Sequence, residues 1–351
     1  MIFQPQHRFL PHAAAAVAFA ASLAACSGAS NSGTAIPLTQ QAGSTSSTMG
    51  RATAPAPTST EFFNGITPNS TPRGIAAGPG GMWFTQPGAN QIARIDTTGT
   101  VTEFTAPTTG VNNIVKGPDG NLWFTQSSAD SVGRMTPHGR VTQFSVGNEA
   151  YGPFDITLGS DGNLWFTFRS PSTNAIGRIT PSGASTLFTS GLSPGDVAVH
   201  DVTTGPDGNV WFTEEFGNRI GRITPSGVIT EFSSGITAGA GLVDITAGPD
   251  GNVWFTENSI NQIGRITPSG TVTEFSRGIT PNSAPGSITA AKGFVWFTES
   301  GGSRLGRVNM TGHIAEYSIP AALASDIAPN GSSNSLWITD YTGNGIVHFT
   351  P

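Results

Sequence analysis

The chain has 351 residues, a formal net charge of −6, 11% charged residues and one cysteine. A lone cysteine excludes an intramolecular disulfide. An acidic chain whose only lysines are Lys116 and Lys292 lacks the basic stripe of a nucleic-acid surface, so no nucleic-acid partner is expected.

Arg8 precedes an Ala-rich apolar run from Ala13 to Ala25, closed by Leu23-Ala24-Ala25-Cys26. The run is too short to span a bilayer, so residues 1–26 read as an export signal. The ending resembles a bacterial lipoprotein box, which implies cleavage before Cys26 and lipid on its sulfur. Each buried acyl CH₂ contributes about 0.8 kcal/mol, so a multiply acylated Cys26 holds the chain to a membrane. Ser27 gives no acidic retention signal, and a cell-envelope lipoprotein is expected, on the outer membrane where the host has one. Residues 27–59, rich in Ser, Thr, Ala, Gly and Pro, cannot bury enough apolar surface to fold and read as a flexible tether.

From residue 60 to 351 one phrase repeats. Trp83, Trp123, Trp165, Trp211, Trp254, Trp296 and Trp337 are each followed by Phe-Thr or Ile-Thr, at spacings of 40, 42, 46, 43, 42 and 41. A period in the low forties built from β-branched and aromatic runs predicts an all-β, seven-bladed β-propeller with four antiparallel strands per blade. One blade reads from Leu242 to Phe275. A short strand ends in the Gly248-Pro249-Asp250-Gly251 turn, and Val253–Glu257 forms strand two. Gln262–Ile266 forms strand three, Thr267-Pro268-Ser269-Gly270 turns, and Thr271–Phe275 forms strand four. Counting back from the loop places Trp254 opposite Gly264. The last blade stops at strand three, Ile346–Phe349, while an unmatched Thr60-Glu61-Phe62-Phe63 opens the domain. This N-terminal strand is expected to complete blade seven and remove the open edges. A monomer is expected.

Strand one begins, and strand two ends, on the face that carries loops of variable length, which is where binding usually resides. Its expected inventory is acidic. Asp155, Asp201, Asp244 and Asp326 lie on strand one, and Glu214, Glu257, Glu299 and Asp340 end strand two, where blades one to three have Gln86, Gln126 and Phe168. Recurrence from blade to blade favours a structural role for these carboxylates, as it does for Arg94, Arg134, Arg178, Arg222, Arg265 and Arg307. Several oxygens around one mouth also suit a hard divalent cation. His200 is the one histidine expected at the mouth, directly before Asp201, and is the candidate general base. Asp201, Glu214, Asp244, Glu257, Glu299, Asp326 and Asp340 are the candidate binding residues.

Gly-Pro-Asp-Gly-Asn-Leu-Trp-Phe-Thr (Gly117 to Thr125) and Asn-Gln-Ile-Gly-Arg-Ile-Thr-Pro-Ser-Gly (Asn261 to Gly270) resemble the repeats of the virginiamycin B lyase family. The resemblance covers all seven repeats and implies magnesium-dependent elimination that opens cyclic streptogramin B antibiotics. It also implies active residues in Pro-His-x-Ile phrases that open strand one of the last two blades. Here those phrases read Pro285-Gly286-Ser287-Ile288 and Ala324-Ser325-Asp326-Ile327, so the family's histidines fall on Gly286 and Ser325. A magnesium-associated glutamate falls on Leu323, and a further glutamate on Asp340 or Tyr341. Two expectations follow. The first is a tethered propeller that binds a peptide, glycan or protein at its loop-rich face, with no cofactor indicated by the residues themselves. The second is a magnesium-dependent carbon–oxygen lyase, which requires His200 to converge with at least two of Asp201, Glu214 and Glu257.

Overall fold

The computed structural model describes residues 56–351, apart from 148–151, 170–173, 196–197 and 332–334. The export signal, Cys26 and residues 27–55 of the tether lie outside the described residues. The described part is a seven-bladed β-propeller of four-stranded antiparallel sheets. Blade five has strands Leu242–Ala247, Val253–Glu257, Gln262–Ile266 and Val272–Phe275, paired in that order. One sheet departs from sequence order: Thr58–Phe62 pairs antiparallel with Gly345–Thr350, Thr58 opposite Thr350 and Phe62 opposite Ile346. This strand begins two residues inside the segment read as tether.

The core is a ring of apolar clusters at the boundaries between blades. Trp211 of blade four packs with Leu242, Ile245, Val253 and Phe255 of blade five. Trp337 packs with Met82, Phe84 and Ala93 of blade one. All seven tryptophans are at most 1% exposed, so each contributes a large buried area to a contact that no single blade can make alone.

The register differs by one from the sequence expectation. Trp254 lies opposite Arg265, and Phe255 lies opposite Gly264. The physical reason is the phenylalanine ring: a Cβ on Gly264 would fall 2.1 Å from Phe255 Cζ. Blade seven makes the complementary exchange, with Ile338 opposite Val347. The tryptophan needs a different glycine, Gly248 of the preceding turn, whose Cβ would lie 2.3 Å from Trp254 Cδ1.

The Gly-Pro-Asp-Gly turn also provides the indole's acceptor. Trp254 Nε1 donates to Asp250 at 3.0 Å, and Trp123, Trp165 and Trp211 do the same to Asp119, Asp161 and Asp207. Blades six and seven lack that aspartate, and the buried Nε1 atoms of Trp296 and Trp337 have no hydrogen-bond partner. The repeat arginines act between blades. Arg134, Arg178, Arg222 and Arg265 donate to carbonyls of Pro181, Pro225, Pro268 and Met310 in the following blade.

Candidate functional site

Each blade delivers one dipeptide to the axis. In blades two to seven the first strand shifts register against the second where that dipeptide sits, for example between Leu242 and Ile245 and between Val199 and Val202. A bulge of this kind re-aims side chains that a regular strand would point into its neighbours. The threonine of the Trp-Phe-Thr phrase holds it open. Thr213 Oγ1 accepts from the Asp201 amide at 3.1 Å and donates to the Val243 carbonyl of the next blade at 2.9 Å. Thr256 does the same with Asp244 and Gly286, Thr167 with Asp155 and His200, and Thr339 with Asp326 and Arg73. One hydroxyl thus satisfies two backbone groups in two blades.

The dipeptides Arg73-Gly74, Asn112-Asn113, Phe154-Asp155, His200-Asp201, Val243-Asp244, Gly286-Ser287 and Ser325-Asp326 line a cavity of about 230 Å³. The second members form the waist of the axial channel, because Asn113, Asp155, Asp201, Asp244 and Asp326 also line a second space of about 360 Å³ beyond it. Their carboxylates tie blade to blade. Asp155, Asp201, Asp244 and Asp326 accept backbone amides of Val202, Ile245, Ile288 and Ile75, at 2.8 to 3.1 Å. Asn113 donates to Asp155, and Ser287 donates to Asp326 at 2.6 Å. Burial pushes Asp326 up to about 7, with the Asp244 charge adding to it. Burial and the neighbouring aspartates push Asp201 well above the usual carboxylate range, and burial raises Asp155. The waist therefore holds protons at neutral pH, as crowded carboxyls in low dielectric must.

The first members form the mouth. His200 meets the Phe154 ring edge-on with centroids 4.8 Å apart, and its buried Nδ1 has no hydrogen-bond partner. Burial, then the charges of Arg169 and Arg73, push the imidazole down to about 3, so it is neutral at physiological pH. The guanidinium carbons of Arg73 and Arg169 lie 4.9 and 5.5 Å from the Phe154 ring centroid, within cation–π range. Arg169 also pairs with Glu215 at 2.8 Å.

Of the candidates read from the sequence, His200, Asp201, Asp244 and Asp326 come together at this cavity. Glu214, Glu257, Glu299 and Asp340 do not, contrary to the expected acidic mouth. Each is almost fully buried inside its blade, facing an acid of strand four: Glu231, Glu274, Glu316 and, for Asp340, Glu61 of the N-terminal strand. Burial and those partners push Glu214 and Glu257 up to about 8 and Glu299 and Glu61 to about 7. In blade one the same place holds a Gln86–Glu103 hydrogen bond of 3.0 Å, and in blade two a Gln143–Gln126 bond of 2.7 Å. The strand-four acid then clamps the preceding loop; Glu274, for instance, accepts Thr237 N and Oγ1 at 2.6 and 2.7 Å. Arg73 and Phe154 are the mouth residues that sequence reasoning missed, and Arg169, just after strand two of blade three, joins them through the Phe154 ring. The signal of Arg73 and Phe154 is a break in pseudo-symmetry: the position before each axial residue differs in every blade.

The positions to which the resemblance assigns magnesium chemistry do not fit the ion. Leu323 offers no side-chain donor atom. The Asp340 carboxylate is spent on the amides of Ala322, Leu323 and Gly343, at 2.6, 2.9 and 3.0 Å. Gly286 and Ser325 stand where imidazoles would act. A hard cation wants several oxygens at once, and among the described residues no three acidic, histidine or cysteine side chains converge as a metal site requires.

A closed ring of blades whose first strands converge on an axial mouth defines the class: a seven-bladed, pseudo-symmetric β-propeller. The virginiamycin B lyase family model matches residues 41–232 and 168–351, and the chain belongs to that family. It is 36% identical to the selenomethionine-substituted virginiamycin B lyase from Staphylococcus aureus, covering 84% of this chain and 99% of that one with a TM-score of 0.77. A catalytically inactive variant of the Staphylococcus aureus enzyme, solved with quinupristin, matches at 36% identity over 84% and 100% of the two chains, TM-score 0.77. A streptogramin B lyase structure matches at 34% over 84% and 97%, TM-score 0.77. No curated protein sequence matches the chain.

Proposed function

We propose that this family member is an exported propeller, tethered to a membrane through lipid on Cys26, that binds a peptide, glycan or protein ligand at its axial mouth without the family's elimination chemistry. The observation that carries this reading is the makeup of the mouth. Elimination needs a base for the proton and an electrophile for the developing negative charge. Gly286 and Ser325 supply neither an imidazole nor a carboxylate, and Asp340 is committed to three backbone amides. His200 lines the cavity without a carboxylate on its Nδ1, and neither Glu214 nor Glu257 lines it.

His200 also supports a second reading, a carbon–oxygen lyase whose base has moved to blade four. One assay separates the two. The protein is incubated at high concentration with a streptogramin B and magnesium, and products are resolved by chromatography with mass detection. An unchanged ring is expected. An opened ring of equal mass, lost in His200→Ala, establishes the lyase reading instead. Metabolic labelling with an alkynyl fatty acid, abolished by Cys26→Ser, tests the tether separately.

A further inference from the structure

We propose that the mouth holds its ligand by a carboxylate, seated on Arg73 and Arg169 beside the Phe154 ring, with His200 bonding the group next to that carboxylate. The inference rests on the reading of the mouth as a ligand-binding site.

Arg73 differs from the repeat arginines. Arg134, Arg178, Arg222 and Arg265 spend donors on carbonyls of the next blade. Arg73 lines the cavity and rests against Phe154. Among the described residues its guanidinium has no ion pair and no side-chain hydrogen bond. Its backbone is fixed by the 2.6 Å bond from Thr339 Oγ1 to its carbonyl, so the charge is presented from a rigid base. Arg169 stacks near the same ring and gives Nε and Nη2 to Glu215 Oε2, and among the described residues Nη1 has no acceptor. Two like charges on one ring repel each other, and a shared anion removes that repulsion. Guanidinium forks match the geometry of a carboxylate.

The neighbours narrow the ligand further. The unpartnered Nδ1 of His200 is a buried polar atom that needs a hydrogen bond. The ring already bonds the Val243 backbone, so in the neutral imidazole Nδ1 is left to accept, which suits the N–H of an amide beside the carboxylate. That combination is the C-terminal residue of a peptide or an acylamino acid.

The test uses the full-length protein in detergent and N-acetyl tripeptides ending in Ala, Phe or Tyr, each as the free acid and as the C-terminal amide. Calorimetric titration reads their affinities. At least one acid is expected to bind tenfold or more tighter than its amide. Arg73→Gln should erase that preference, bringing the acid and the amide to the same affinity, and Arg73→Lys should restore part of it. Melting curves of the variants establish that they fold. Acid and amide binding alike, both lost in Phe154→Ala, overturns the carboxylate seat and leaves the mouth as a ligand site. No binding of any peptide to a folded wild type overturns both.

Discussion

Replacing Glu257 by Gln should make the protein more stable, and by an amount that depends on pH. Glu257 is fully buried at the end of strand two, and its carboxyl faces Glu274. Burial first, then the charge and hydrogen bond of Glu274, raise it from 4.5 to about 8. The sign follows from where the proton sits. Below pH 4.5 both folded and unfolded chains keep it, and the group costs nothing extra. Between 4.5 and about 8 the unfolded chain releases it while the folded chain holds it, so stability falls as pH rises. At about 1.36 kcal/mol per tenfold, the whole gap amounts to roughly 5 kcal/mol, an upper bound that relaxation of the site reduces to about 2–3 kcal/mol. Glutamine copies the neutral acid in shape and can donate to Glu274 as Gln86 does to Glu103 in blade one. At about 2 °C per kcal/mol for a domain of this size, the variant should melt level with wild type at pH 4.5 and about 4–6 °C higher at pH 8. Thermal melts at half-unit intervals give the curve. A difference that stays flat across this range, or a variant less stable at pH 8, refutes the proton-sharing account.

The wild-type melting temperature should itself fall from pH 5 to 8, because Glu61, Glu214, Glu299 and Asp326 are all raised to about 7 or 8, so the folded chain holds protons there that the unfolded chain has released. Thr256→Val keeps the side-chain volume but leaves the Asp244 amide and the Gly286 carbonyl unpaired, and urea unfolding should register a loss of about 2–4 kcal/mol. Asp250→Ala removes the acceptor of Trp254 Nε1 and of Asn252, and should cost about 1–3 kcal/mol in the same assay. Gly264→Ala drives a methyl group into the Phe255 ring and should cost about 1–3 kcal/mol or more, with Phe255→Leu in the same chain recovering part of it.

The fold was legible because its signals are local and repeated. Seven tryptophan phrases at one period, with Pro-Asp-Gly and Pro-Ser-Gly turns at fixed offsets, specify four strands per blade without any long-range contact. The site was harder to read. Strand residues alternate faces, so an error of one position moves a side chain to the opposite side; that error set Trp254 against Gly264. Glu214 and Glu257 were expected at the mouth because strand two ends on that face, but their side chains turn into the blade toward Glu231 and Glu274. The bulge that aims His200 and Asp201 leaves no mark in composition. The threonine that holds it, two residues after each tryptophan, is visible in all seven phrases, but repetition alone does not say which backbone groups a hydroxyl will join. Arg73 and Phe154 are ordinary residues in sequence and become a pair only because blades one and three face the same axis.

The threonine bridges have a consequence for how such a protein changes over time. They secure the backbone of six of the seven mouth positions through main-chain atoms alone, so the scaffold is indifferent to which side chain stands there. Arg73, Phe154, His200, Gly286 and Ser325 occupy equivalent stations on one dial. A histidine lost at one station and present at another requires no new fold, no new loop and no intermediate that fails to close. Chemistry in this ring can migrate by rotation, one point mutation at a time, and two members with the same blades can work from opposite sides of the same opening.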